Sequence, residues 1–305
     1  MLAYYSPVFR ESTVYSIDMV RLKLDFSGKE YLDVFLEWLS GINDIYIERH
    51  PVSHKAYAYR NLFQITCKSN NCSFVIGLSL NGSNPESYYL GFMEFNPNKV
   101  SETEEFQEIF LKLQECCFCA EIIRWDLAVD VPERRDMCEF SLDGYDGPYH
   151  LHEKSALDKT ECLRKRNKHG YVKLYNKQKE SGLDYELTRL EITVDGKATY
   201  TDFSKICPEV IVKGDGNRKN FYKNPKLFKT DIVLLEMLML LDMSERERLF
   251  KEFTRRKKEK FRPYFYNVYG SPDQFVVSEE VFNQLKHQLR NWTIGIDYSL
   301  IDDNM

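Results

Sequence analysis

The sequence predicts an α+β protein, an antiparallel sheet with helices packed on one face, followed by a small all-α C-terminal domain. Three observations predict it. Strand and helix patterns alternate in the order strand, helix, several strands, helix, strand over the first two thirds of the chain. Two later segments, YVKLYNK (Tyr171 to Lys177) and LTRLEIT (Leu187 to Thr193), alternate with the period of two that half-buried strands require. Past about Tyr200 the apolar residues recur at helical spacing instead.

Taken in order, Tyr15 to Phe26 alternates as a strand, and KEYLDVFLEWLS after Gly28 places Leu32, Phe35, Leu36 and Leu39 on one helical side. Asp44 to Arg49, Ala56 to Lys68 and Ser73 to Leu80 read as antiparallel strands, with turn chemistry at Lys68 to Asn71 and Asn81 to Asn84. Tyr88 to Phe95 is a further strand that runs into the proline turn NPNK. A helix follows from about Thr103 to Cys117, with Phe106, Ile109, Phe110 and Leu113 inward and Ser101 as its cap. Ile122 to Val131 is a strand, and the charged stretch to about Lys159 is irregular. The strands within Thr160 to Val194 complete a first domain, residues 1–213.

GDGNRKNFYKNPK (Gly214 to Lys226) has the composition of a linker, and residues 214–305 form the helical domain. Thr230 and Asp231 cap the apolar segment IVLLEMLMLL (Ile232 to Leu241), which reads as a buried core helix. Ser244 and Glu247 have capping-box spacing for the next helix, which carries Leu249, Phe250 and Phe253 and leads into TRRKKEKFR. Ser278 to Trp292 is the last helix.

At 305 residues with 43% hydrophobic content, the chain can bury two ordinary cores. No apolar run reaches the length of a membrane span, and MLAYYSPVFRES lacks the cationic head and cleavage site of a secretory signal. A cytoplasmic protein with reduced cysteines is therefore expected. Cys67 with Cys72, and Cys116, Cys117 and Cys119, lack paired C-x-x-C knuckles and read as small buried thiols in place of a zinc site.

A net charge of -5 argues mildly against nucleic acid, but phosphate binding depends on the local patch. The cations are clustered. One run holds Lys159, Arg164, Lys165, Arg166, Lys168, Lys173, Lys177 and Lys179, and another holds Arg255, Arg256, Lys257, Lys258, Lys260 and Arg262. Either cluster can equally be a solvated face.

RWDLAVDV (Arg124 to Val131) puts Arg124, Asp126, Ala128 and Asp130 on one side. Asp126 and Asp130 are joined by Glu191 if the strands pair, and oxygen ligands of this kind suit Mg²⁺ or Mn²⁺. The competing reading is a polar sheet surface on which Arg124 and Arg189 neutralise the acids. Tyr171 and Tyr175 are candidate nucleophiles. A phenol needs a polarised phosphate and nearby cations to attack, and Lys173, Lys177 and Arg189 are positioned to supply them. His150 and His152 have the spacing that projects two imidazoles toward one metal, in a segment without strand patterning. No Walker or Rossmann glycine-rich loop occurs, so ATP use is not expected.

Arg124-Trp-Asp-Leu-Ala-Val-Asp130, then Gly170-Tyr-Val-Lys-Leu-Tyr-Asn-Lys177 with Glu180, then Leu187-Thr-Arg-Leu-Glu-Ile-Thr193, resembles the plasmid and phage replication initiation proteins of Firmicutes, specifically the trans-acting rolling-circle Rep class and its relaxase-like relatives. FNPNK (Phe95 to Lys99) and the capped C-terminal helices add to the resemblance. It implies a DNA-nicking domain in which a tyrosine attacks origin DNA, becomes linked to the 5′ phosphate and leaves a 3′-OH primer. It also implies Asp126, Asp130 and Glu191 as ligands of Mg²⁺ or Mn²⁺, with Lys173, Lys177 and Arg189 as phosphate contacts. The implied partners are origin DNA, single-stranded at the nick, with a host helicase or polymerase and a second copy of the chain as further candidates. In this chain Cys162 stands where relatives carry a tyrosine. That departure favours the alternative of a non-catalytic origin-binding or regulatory protein with the same fold.

Overall fold

The computed structural model describes residues 8–10, 13–49, 59–80, 89–142, 145–155, 157–166, 168–212, 227–240, 243–267 and 277–296. The linker-like segment Gly214 to Lys226 and the turn Asn81 to Asn84 lie outside the described residues.

An antiparallel sheet of eleven strands organises the chain. In sequence the strands are β1 (Val8–Arg10), β2 (Thr13–Phe26), β3 (Ile45–Arg49), β4 (Tyr59–Cys67), β5 (Ser73–Leu80), β6 (Leu90–Phe95), β7 (Cys117–Val131), β9 (Tyr149–Glu153), β10 (Lys159–Leu163), β11 (Val172–Asn176) and β12 (Thr188–Asp195). Their spatial order is β3-β4-β5-β6-β2-β7-β12-β11-β10-β9, with β1 also paired to β2. A separate two-stranded ribbon pairs β8 (Cys138–Phe140) with β13 (Val210–Val212). The long strands β2 and β7 form the spine. Their register shifts between Ile17 and Met19, between Arg21 and Leu22, and between Asp25 and Phe26, the irregularities by which long strands bend and twist.

Helices α1 (Lys29–Ser40) and α3 (Glu104–Cys116) follow the predicted apolar spacing and bury Leu32, Phe35 and Leu39, and Phe106, Ile109, Phe110 and Leu113. The short α2 (Pro97–Val100) starts at NPNK, where the Asn96 side chain accepts the Asn98 N–H and proline occupies the first turn. The helix α3 begins after Thr103, two residues beyond the expected Ser101 cap, and β7 starts five residues before the expected Ile122.

Trp125, Leu127, Val129 and Val131 of β7 are buried on the helical side. Helix α9 (Glu279–Leu289) lands there as well. Its Phe282 ring lies 5.5 Å from Trp125 and 4.8 Å from Phe203 of α5 (Tyr200–Ser204). Trp292, in the 3-10 turn that follows, meets Phe95 edge-on at 5.5 Å. This corrects the expected domain division. The last helix belongs to the main core, because its Val281, Phe282, Leu285 and Leu289 stripe finds apolar cover on the sheet.

A second, smaller core joins Leu227 with Leu235, Leu238, Phe250 and Phe261 of α6 (Lys229–Leu240), α7 (Met243–Glu252) and α8 (Arg255–Asn267). The apolar helix α6 is buried on one side only. Leu235 and Leu238 are inside, whereas Val233 and Met237 are exposed.

Candidate nucleic-acid site on the polar face of the sheet

The site lies opposite the helices and is built by ladder register. Strand β12 pairs with β7 so that Arg189 faces Asp130, Glu191 faces Ala128 and Thr193 faces Asp126. On its other edge β12 pairs with β11, setting Tyr175 against Arg189 and Lys173 against Glu191. Strand β10 then sets Cys162 against Lys173, and β9 sets His150 against Cys162. Residues opposite each other share a face. The structure thus brings Asp126, Asp130, Glu191, Arg189, Lys173 and Tyr175 together, as the alternation predicts.

Their pairings divide them into two groups. Arg189 donates Nε and Nη2 to the two carboxylate oxygens of Asp130, both at 2.6 Å, the bidentate geometry that most strongly binds a guanidinium to a carboxylate. A third donor, Nη1, goes to Asp18, which also accepts from Asn96 at 3.2 Å. The expected roles of Asp130 as a metal ligand and Arg189 as a phosphate contact meet a physical obstacle here, because each is occupied by the other. Asp18 was not legible in the sequence. It sits where the register of β2 shifts between Ile17 and Met19, outside any clean alternation.

Asp126 and Glu191 are differently placed. Asp126 is buried, and its Oδ1 is without a hydrogen-bond partner. Burial pushes its pKa up to about 7; Arg124 works against the shift and Glu191 adds to it. Burial also raises Glu191, with Lys173 opposing it. Glu191 is approached by Lys173 Nζ at 3.8 Å, and Tyr175 beside it works against the rise in its pKa. Lys173 Nζ lies 3.7 Å from the centre of the Tyr175 ring. Among the described residues, no three or more His, Cys, Asp and Glu side chains form a metal-holding group. An orphaned, buried carboxylate oxygen beside a second raised carboxylate nevertheless fits a hydrated divalent cation, because Mg²⁺ keeps most of its waters and needs only one or two carboxylates.

The two tyrosines differ in access. Tyr175 is buried, and burial followed by Glu191 raises its phenol above the ordinary range. Tyr171 is half-buried and donates to Cys162 Sγ at 3.2 Å, and its phenol is raised by burial and by that bond. Cys162 therefore lies beside a tyrosine supplied by the neighbouring strand. His150 and His152 lie on the exposed strand β9, a pairing missed because none of its five residues is buried. Lys177 opens helix α4 (Lys177–Ser181) and pairs with Glu180 at 2.5 Å.

The basic runs also divide. Arg164 has a left-handed backbone, φ 65°, and its guanidinium donates to the carbonyls of Gly170 at 3.1 Å and Ile206 at 2.7 Å. It is a clamp on the loop, whereas Lys165, Arg166 and Lys168 are exposed. In α8, Lys258 donates to the Lys251 carbonyl at the end of α7, at 2.6 Å. Lys257 lies 5.2 Å from the centre of the Phe253 ring and 5.8 Å from that of Phe261. Arg255 and Arg256 are exposed. Beneath the loop, Arg135 is fully buried and pairs with Glu161 of β10. Burial pushes the Glu161 carboxyl up but is outweighed by Arg135 and Lys159, which leave it below its ordinary value.

No helix among the described residues is long and apolar enough to cross a membrane. No protein-family model matches the chain, and no curated protein matches it. Among solved structures the chain is similar to a rolling circle replication initiator protein from Geobacillus stearothermophilus, with 14% identity over 60% of this chain and 74% of that one and a TM-score of 0.36.

Proposed function

We propose that the chain initiates rolling-circle replication by nicking origin DNA through tyrosine transesterification, with Asp126 and Glu191 holding a Mg²⁺ or Mn²⁺ ion. The observation that carries this reading is the orphaned Oδ1 of buried Asp126 on the same polar face as Glu191, Lys173 and two tyrosines. A bound divalent ion supplies polarisation of a phosphoryl oxygen. Tyr171 is the nucleophile in this reading, because it is the less buried of the two phenols. Its oxygen forms the new bond to phosphorus as the bond to the 3′ oxygen breaks, and the phenol proton ends on the departing 3′ hydroxyl. Tyr175 lines the site beside Glu191, and Lys173 contributes positive charge beside both. Lys165, Arg166, Lys168, Arg255 and Arg256 supply exposed phosphate contacts.

The test is trapping of a covalent protein–DNA adduct on a supercoiled plasmid carrying the cognate origin, with Mn²⁺. The parent and Tyr175→Phe should form the adduct, the latter more slowly, and Tyr171→Phe should form none. An adduct from Tyr171→Phe that disappears in Tyr175→Phe would transfer the nucleophile's role. The raised phenols favour a second reading, a DNA-binding protein of the same fold without nicking activity. Salt-sensitive origin binding with no adduct under any metal would establish it.

A further inference from the structure

The carboxylate site leaves one cationic pair on the polar face unused. Arg21 of β2 and Arg124 of β7 lie directly opposite each other in the ladder. Like charges in that position repel. Both reach the same oxygen, Glu94 Oε2 on β6, at 3.4 Å and 3.3 Å. The Nε of each arginine is buried without a hydrogen-bond partner, so the protein has not satisfied the donors that it has gathered.

The pair is also held in place. Arg21 lies over the Phe92 ring, 4.3 Å from its centre, and the Phe92 ring is 4.8 Å from that of Tyr59. The Arg21 guanidinium also opposes the rise that burial imposes on the pKa of the Tyr59 phenol. Phe92 can occupy this position because Gly77 faces it across β5 and β6, where a Cβ would fall 2.2 Å from the ring. Side-chain exposures of 19% and 17% leave the guanidinium ends accessible to a solute. Two planar forks that converge on one carboxylate oxygen match the geometry of a phosphate group. Arg124 precedes Asp126 by two residues on the same side of β7, a separation of about 7 Å.

We propose that Arg21 and Arg124 form a phosphate subsite that grips the nucleic-acid backbone beside the phosphodiester at Asp126 and Glu191, an inference that rests on the nucleic-acid reading above. Glu94 holds the two forks apart and competes with the incoming phosphate. The experiment measures binding of a short fluorescent single-stranded oligonucleotide by anisotropy across a salt series, using the full chain. Arg21→Gln and Arg124→Gln should each weaken binding and lower the salt slope by about 0.7, the contribution of one phosphate contact on a single strand. Glu94→Gln should tighten binding, a gain that a misfolded variant would not show. Melting temperatures close to the parent's qualify each variant for comparison. If the parent binds and both arginine variants keep its slope, the subsite is wrong and the nucleic-acid reading stands. If the parent does not bind the oligonucleotide even at low salt, both fall together.

Discussion

Arg189 and Asp130 face each other across the β12–β7 ladder and share two parallel hydrogen bonds of 2.6 Å. Losing Asp130 removes two charge-assisted hydrogen bonds, each worth about 1.5–3 kcal/mol, and leaves Arg189 with Asp18 as its carboxylate partner. Asp130→Ala should therefore lose about 3 kcal/mol of stability in urea denaturation while retaining Mn²⁺ binding. Loss of Mn²⁺ binding with unchanged stability would return Asp130 to the metal site.

Asp126 imposes a pH dependence of definite sign. Its carboxyl titrates at about 7 in the folded chain, against about 3.9 when unfolded. The folded state holds this proton more tightly, so its contribution to stability falls as pH rises from about 4 to about 7 and stays low above. Asp126→Asn should raise stability at pH 8 by roughly 4 kcal/mol in the presence of chelator and change little at pH 4. Equal melting shifts at both values would show that this carboxyl is not the source.

Divalent cations should reverse that penalty. Saturating Mn²⁺, about 100 times its dissociation constant, adds about 2.7 kcal/mol to the stability of a protein that binds it only when folded. We expect the thermal shift in the parent, and its loss in both Asp126→Asn and Glu191→Gln. Because the proton on Asp126 must leave first, the shift should be larger at pH 8 than at pH 6. A shift that survives both substitutions places the ion elsewhere.

Within the basic run, position decides function. Arg164→Ala should lower the melting temperature, because it frees the Gly170 and Ile206 carbonyls, yet leave the salt slope of DNA binding untouched. Replacing Lys165, Arg166 and Lys168 together by alanine should leave stability unchanged and lower that slope by about 2. The reverse pattern would make Arg164 the contact and its exposed neighbours structural.

Much of the scaffold was legible because β7, β11 and β12 alternate cleanly, and clean alternation fixes which residues share a face. That Lys173 stands opposite Glu191 is a matter of register, which alternation leaves open. What escaped the sequence lies where alternation fails. Asp18 sits at a register shift, and β9 is an edge strand with no buried residue, so neither leaves a period-two trace. Glu161, set within a basic run, is the buried partner of Arg135, 26 residues away, a pairing that only the three-dimensional return of the chain creates. The last helix was misassigned to the C-terminal domain because an apolar stripe records that a helix is covered and is silent about what covers it.

Gly77 brings no charge, no hydrogen-bonding side chain and no catalytic group, yet three strands hang on its lack of one atom. A methyl group there would displace Phe92, and with it the aromatic shelf on which Arg21 rests. Tolerance to mutation at this position is thus set at a distance, by the orientation of an arginine that Gly77 never touches. An alanine at 77 would be read in an activity screen as a defect of the polar face, although the substitution lies two strands outside it.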